Sequence, residues 1–189
     1  MARKKRIIVG ISGATGAQMG YRLLQALRAV PDVETHLVIT EGAKVIFERE
    51  TDVTVADAEA LADVVHDNRN LAATISSGSF RTDGMIVCPC SMKSLSGMVN
   101  AYDDDLLVRA ADVCRKEGRK VVLVPREMPL NQAHLRNMLQ AAQDGYVILP
   151  PVLTFYNGCQ TTMDQVDHVV GKVLMQFDIE YDRFHPWES

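Results

Sequence analysis

Short, continuously apolar runs alternate along the chain with longer stretches whose apolar residues recur every three or four positions. The runs Arg6–Ile11, Glu34–Thr40, Gly84–Pro89, Lys120–Pro125 and Tyr146–Leu149 are rich in Val, Ile and Leu and predict strands. The helical period covers Thr15–Val30, with Leu23, Leu24 and Leu27 on one stripe, and then Glu41–Glu50. It returns over Val55–Val65, with Ala56, Ala60, Leu61 and Val64 inward, and His66 to Asn70 read as a polar loop. Further helices are predicted over Ser91–Val99, Leu106–Gly118, Gln132–Gln143 and Met163–Phe177. Strands without a polar alternation have no face for water, so the pattern predicts an α/β fold with a parallel sheet covered by helices on both sides. Ligands of open parallel sheets sit at the C-terminal strand ends. That rule singles out Gly10–Gly16, Thr40, Pro89–Met92, Pro125–Pro129 and Pro150–Tyr156.

Composition narrows the picture. The 189 residues carry no repeat, low-complexity stretch or linker, which predicts one domain with a basic tail over residues 1–5 and a C-terminal tail over about 180–189. That length buries a full core without disulfide or metal staples. With 20 basic and 24 acidic side chains, net −4, the chain lacks the basic excess of a nucleic-acid binder. No apolar run approaches the ~20 residues that span a bilayer. The basic N-terminus resembles a signal peptide in charge order, but Gly10, Ser12, Gly13 and Gly16 break its apolar stretch at once. Cys88, Cys90, Cys114 and Cys159 contain no C-x-x-C pair and predict free thiols in a reducing cytoplasm.

Candidate chemistry gathers at the strand ends. Gly10-Ile11-Ser12-Gly13-Ala14-Thr15-Gly16 opens a helix whose N-terminal amides and dipole suit a phosphate. Its spacing resembles a G-x-x-G-x-x-G variant of the dinucleotide turn, so an NAD(P)-binding oxidoreductase stays open as an alternative. At the end of the second strand Thr40 offers a hydroxyl better suited to phosphate than to a ribose diol, although Glu41 beside it keeps that question open. Arg109, Asp112 and Lys116 share a helical stripe, either as a solvated ion ladder or as cations aimed at an anionic ligand. Arg126 and Glu127 lie between Pro125 and Pro129, where a fork for phosphate and an acid or base are costly to bury unless used or paired. Ser91 is a candidate helix cap with no His or Asp in triad-like context, and Asp103–Asp105 a candidate cap and dipole partner. The five histidines show no metal-ligand spacing, and His36 and His134 read as structural.

Taken together, Gly10–Gly16, Ser77-Gly78-Ser79, Cys88-Pro89-Cys90-Ser91, Arg109–Val113, Lys116-Glu117, Val124–Glu127, Pro129-Leu130 and Phe155-Tyr156 are similar to the UbiX-like flavin prenyltransferases. These belong to the superfamily of homo-oligomeric flavin-containing Cys decarboxylases, and the chain most resembles the branch found beside hydroxyarylic acid decarboxylases. The resemblance implies a Rossmann-like three-layer α/β/α sandwich, trimers built into a dodecamer, and a metal-independent transfer. A dimethylallyl group from dimethylallyl (mono)phosphate would join N5 and C6 of reduced FMN, and the prenylated FMN would serve a UbiD-type aromatic acid decarboxylase. It implies FMN contacts from Gly13, Ala14, Thr15, Thr40, Ser77, Ser91, Met92 and Arg109. Lys116, Arg126, Tyr156 and Lys172 would hold the donor's phosphate, and Glu127, Glu50 and Ser91 would be the catalytic candidates. Two departures stand out: Lys172 replaces an Arg, and no Trp precedes Ser77. They leave a non-catalytic, FMN-binding component of such a decarboxylase as a further alternative.

Overall fold

The computed structural model describes residues 3–187, so residues 1–2 of the basic tail and 188–189 of the C-terminal tail lie outside the described residues. Six strands pair in the order β3-β2-β1-β4-β5-β6. They are β1 (Lys5–Ile11), β2 (Val33–Ile39), β3 (Val64–His66), β4 (Gly84–Cys90), β5 (Lys120–Pro125) and β6 (Val147–Ile148). Every pairing is parallel. The crossovers are α1 (Ala17–Arg28), then α2 (Glu41–Glu50) with α3 (Val55–Glu59), then α4 (Met92–Val99) with α5 (Leu106–Lys116), and α6 (Gln132–Gln143). Helix α7 (Thr162–Met175) follows the last strand.

Because both faces of each central strand are apolar, both are covered. Ile7, Val9, Ile11, Ile86, Val122 and Val124 pack against α1, α2 and α7. Ile8, Met85, Val87, Val121 and Leu123 pack against α4, α5 and α6. The result is the expected three-layer sandwich. On α1 the stripe Leu23, Leu24 and Leu27 is fully buried, at about 1.5–3 kcal/mol for each side chain.

Several boundaries differ from the pattern for local reasons. Helix α1 starts at Ala17, not Thr15, because Gly16 takes a left-handed φ of 100°. The predicted helix Val55–Val65 ends at Glu59, after a Thr54/Asp57 capping box. Asp63 then ties the chain to β2: its amide donates to the Thr35 carbonyl (3.1 Å) and its carboxylate accepts from the Thr35 amide (2.8 Å). Val64–His66 therefore becomes an edge strand, so His66 lies in a strand and not in a loop. Ala58 is the buried residue of α3, whereas Ala56, Ala60 and Val64 are exposed. The predicted strand Tyr146–Leu149 shortens to Val147–Ile148. The C-terminal segment folds back: the Tyr181 hydroxyl donates to Asp167 on α7, and Arg22 on α1 grips the same carboxylate with a fork at 2.6 and 3.0 Å. Among the described residues no helix is long and apolar enough to cross a membrane.

Candidate functional site

Strand order reverses direction between β1 and β4, and the helices that follow them lie on opposite faces of the sheet. Such a switch point opens a crevice. Here it is a cleft of about 480 Å³ whose lining includes Gly13, Thr40, Gly42, Ser91, Met92 and Glu127. Ser12 pins its floor: its amide and hydroxyl donate to the Pro89 carbonyl (3.1 and 3.2 Å), and its Oγ accepts from the Ser91 amide (2.7 Å). A Cβ on Gly13 would lie 3.2 Å from the backbone of Gly42, so any side chain here would press these two turns apart by a few tenths of an ångström.

Two helix N-termini converge there. Thr40 caps α2 by accepting from the Ala43 amide (3.2 Å), which leaves its own hydroxyl proton to donate. Ser91 caps α4 by accepting from the Ser94 amide (3.2 Å), but its proton goes to the Ser94 hydroxyl (3.1 Å), so no base activates it. The first-turn amides of both helices lack intrahelical partners, and both dipoles present their positive ends to the cleft. Glu41 and Asp104 also line it, paired with Lys44 (2.8 Å) and Lys93 (3.7 Å). The chemistry of this donor set fits the phosphate of FMN.

The phosphate seat predicted at the start of α1 is corrected. The Gly16 amide donates to Glu50 Oε2 (2.7 Å), and the Thr15 hydroxyl donates to Glu50 Oε1. The chain's own carboxylate thus fills the positive end of α1. A dinucleotide pyrophosphate would have to expel it, which weighs against the NAD(P) alternative.

Most of the remaining candidates lie elsewhere on the chain. Arg109 forms half of the predicted ladder: its Nη1 donates to Asp103 (3.0 Å) and Asp112 (3.1 Å), and its Nε to the Ser76 carbonyl (3.3 Å). Lys116 instead meets Glu117 (2.6 Å). It lies ten residues along α5 from Leu106, about 15 Å at 1.5 Å per residue. Because α5 runs back toward the start of β5, Lys116 stands near the opposite end of the sheet from the cleft. The Arg126 amide donates to the Cys90 carbonyl (3.1 Å), and no Arg126–Glu127 pair forms. Glu127 accepts from the Met128 amide (3.0 Å) and is exposed. Tyr156 sets its ring edge-on to His168 (5.8 Å) and Trp187 (5.1 Å). One chain thus brings Gly13, Thr40, Ser91, Met92 and Glu127 into the cleft and joins Thr15 to Glu50. It keeps Ser77, Arg109 and Lys116 on the α5 side and Tyr156 and Lys172 on the α7 side.

Two positioning residues escape sequence reasoning. Asn68 caps α5 from a distance, its carbonyl and Oδ1 accepting from the Leu106 and Leu107 amides (2.8 and 3.0 Å). Arg119 holds the Ser77-Gly78-Ser79 turn by donating to the carbonyls of Gly78 (2.6 Å) and Phe80 (2.9 Å) and to the Thr82 hydroxyl (3.2 Å). Neither has a local signal, because each partner lies more than thirty residues away. Other expectations hold: Asp105 caps α5, His134 belongs to a capping box, and all four cysteines are free. Burial pushes the Cys88 and Cys90 thiols up to about 12, so neither is a nucleophile at neutral pH. Among the described residues no His, Cys, Asp and Glu group could hold a metal ion.

The family model described as Flavoprotein matches residues 1–178. The chain is 60% identical over 184 residues to the "Probable UbiX-like flavin prenyltransferase" of Sedimentibacter hydroxybenzoicus, covering 97% of each chain. It is similar to a dodecameric FMN-dependent UbiX-like decarboxylase from Escherichia coli O157:H7, with a TM-score of 0.96 and 55% identity over 97% of this chain and 100% of that one. It is also similar to AnUbiX (PadA1), solved in complex with FMN and dimethylallyl pyrophosphate, with a TM-score of 0.96 and 48% identity over 99% of both chains.

Proposed function

Since the chain belongs to the flavoprotein family, among the UbiX-like flavin prenyltransferases, we propose that it joins a dimethylallyl group to reduced FMN and releases prenylated FMN for a UbiD-type decarboxylase. The observation that carries this reading is the switch-point cleft, where Gly13, Thr40 and the first turns of α2 and α4 form a seat for the FMN phosphate. When bound, reduced FMN would supply N5 and C6 as nucleophiles: N5 would bond the donor's C1 as the C1–O bond to phosphate breaks, and C6 would bond C3 as the double bond takes a proton at C2, with the N5 and C6 protons released.

The chain's own groups do the rest. Thr40 and the amides of α2 and α4 hold one phosphate, with Met92 and Ser91 beside them. Lys116, Arg126, Lys172 and the Tyr156 hydroxyl neutralise the donor's phosphate as its C–O bond breaks, and fixed cations favour that charge without reorganising. Glu50 takes a proton through Thr15, to which it is already bonded. Glu127, at the cleft wall, is the second proton-transfer group. The leaving phosphate is itself a base for the last proton, so no strong protein base is needed. Copies of the chain complete the site, because Lys116 in one copy stands a helix length from that copy's cleft.

Incubating the purified protein with reduced FMN and dimethylallyl phosphate should yield a flavin enlarged by one prenyl group, read by mass spectrometry. No new flavin with either the mono- or the diphosphate donor would overturn the assignment.

A further inference from the structure

Asn157, Gly158 and Cys159 and the returning residues Asp182, Arg183 and His185 line a second cleft, of about 380 Å³, against α7. His168 lines it and is only 7% exposed. Its ring is packed by the edge of Tyr156 (5.8 Å) and by Phe184 (5.3 Å), yet its Nδ1 has no hydrogen-bond partner. An unsatisfied buried polar nitrogen costs about 1–3 kcal/mol, and such groups in native proteins call for a reason. Lys172 follows one turn later, at the i, i+4 spacing that puts two side chains on one face. It makes no ion pair among the described residues. The acids of the cleft are mostly engaged: Asp164 by the amides of Gln160 and Thr161, and Asp167 by Arg22, Tyr181 and Arg183. Asp182 is exposed.

We propose that His168 donates a hydrogen bond to a phosphate oxygen of the prenyl donor, beside Lys172 and the Tyr156 hydroxyl. This rests on the donor-phosphate roles assigned above. A lysine offers a point charge without the planar fork of arginine, and a neutral imidazole one turn away supplies a second, directional donor. Burial first, and then the charge of Lys172, hold His168 below its ordinary value, which keeps it neutral and its N–H available at pH 7.

Three proteins test this: wild type, His168→Phe, which keeps the ring contacts and removes both nitrogens, and His168→Gln, which restores a donor. Losing one such hydrogen bond should raise the KM for dimethylallyl phosphate about five- to tenfold in H168F. The inhibition constant for inorganic phosphate should rise in parallel, while FMN affinity stays within about twofold. H168Q should return to within about threefold of wild type. Unchanged KM and phosphate inhibition in H168F would overturn the proposal, as would an equal fall of kcat, FMN retention and melting temperature in both variants. If wild type prenylates nothing, the assigned reaction fails on its own. Line broadening of inorganic phosphate in 31P NMR, compared between wild type and H168F, still decides the role of His168.

Discussion

At the switch-point cleft, nearly every group that would meet a phosphate is already held by the chain itself. Ser12 pins β1 to β4, Thr40 and Ser91 cap their helices, and Glu50 braces the glycine turn. On the outer rim the picture reverses. Arg126 and Lys172 have no carboxylate partner among the described residues, Tyr156 is 50% exposed and Phe155 85%. Val152 and Leu153 extend the same apolar rim. The difference separates two tasks. Binding a flavin phosphate needs backbone amides and caps that one fold can supply. Gripping a second phosphate while excluding water needs walls that this single sheet lacks, and an exposed apolar rim of this kind marks a contact surface.

Dissociating the assembly should break that division most severely. Phe155→Asp puts a charge into the apolar rim, and light scattering should report a smaller species. If the donor site spans copies, two charge-assisted hydrogen bonds worth about 1.5–3 kcal/mol each are lost, so turnover should fall about 10²- to 10⁴-fold. FMN affinity should change little. Full turnover by a dissociated protein would place the whole site within one chain.

The converse experiment attacks the cleft. Gly13→Val drives side-chain carbon into the backbone of Gly42, at a position where a Cβ is already 3.2 Å away. Overpacking of this kind costs about 1–3 kcal/mol, which weakens FMN binding about 5- to 150-fold by fluorescence titration. The assembly should persist. Wild-type FMN affinity in this variant would move the flavin phosphate elsewhere.

The two regions also differ in how far the sequence reveals them. Caps act over three residues, so Thr40, Ser91 and Asp105 stand out from residue type and position alone. The glycine turn and the parallel order follow from short-range pattern in the same way. Contacts that close over long loops leave no such trace. The bond from Thr15 to Glu50 spans 35 residues and turns a predicted phosphate seat into a carboxylate seat. Arg119 reaches back 41 residues to the Ser-Gly-Ser turn. Strand β3 is three residues at the sheet edge, with Val64 and Val65 exposed, and its pairing with β2 and the Asp63 link to Thr35, which carry no local signal, place it. Lys116 is legible as a cation on a stripe, but that stripe gives no sign that the fold sets it a helix length from the cleft, beside Glu117.

A smaller effect sharpens the rim itself. Lys116→Ala and Arg126→Ala each remove one cation from the proposed donor site. Each should raise the KM for dimethylallyl phosphate about 10- to 100-fold, the range of one charged hydrogen bond. FMN affinity should stay unchanged, and Arg126→Lys should recover part of the loss. Equal losses in donor and FMN binding would merge the two regions into one.

The smallest effect concerns protons, and it separates an inner histidine from an outer one. His66 stacks on His36, with His36 Nδ1 2.9 Å from His66 Nε2, and the far nitrogen of His36 lies 2.9 Å from Glu34. One proton serves the two facing nitrogens, and a second would set two like charges together. Burial first, and then the charge of His36, hold His66 below its ordinary 6.5. His168 is also held below 6.5, by burial and then by Lys172. A histidine with a depressed folded value binds protons more readily when unfolded, so its stability is complete above pH 6.5 and is lost as the pH falls through that value. Melting temperature should therefore be flat from pH 8 to 7 and decline from 6.5 to 5.5, with about 2–4 °C for each kcal/mol in a chain of this size. His66→Gln should remove its part of the slope under all conditions. Sulfate, a dianion throughout this range, should flatten only the part owed to His168, because an anion held by that ring restores its affinity for a proton. A slope in His66→Gln that sulfate leaves untouched would show that the rim histidine meets no anion.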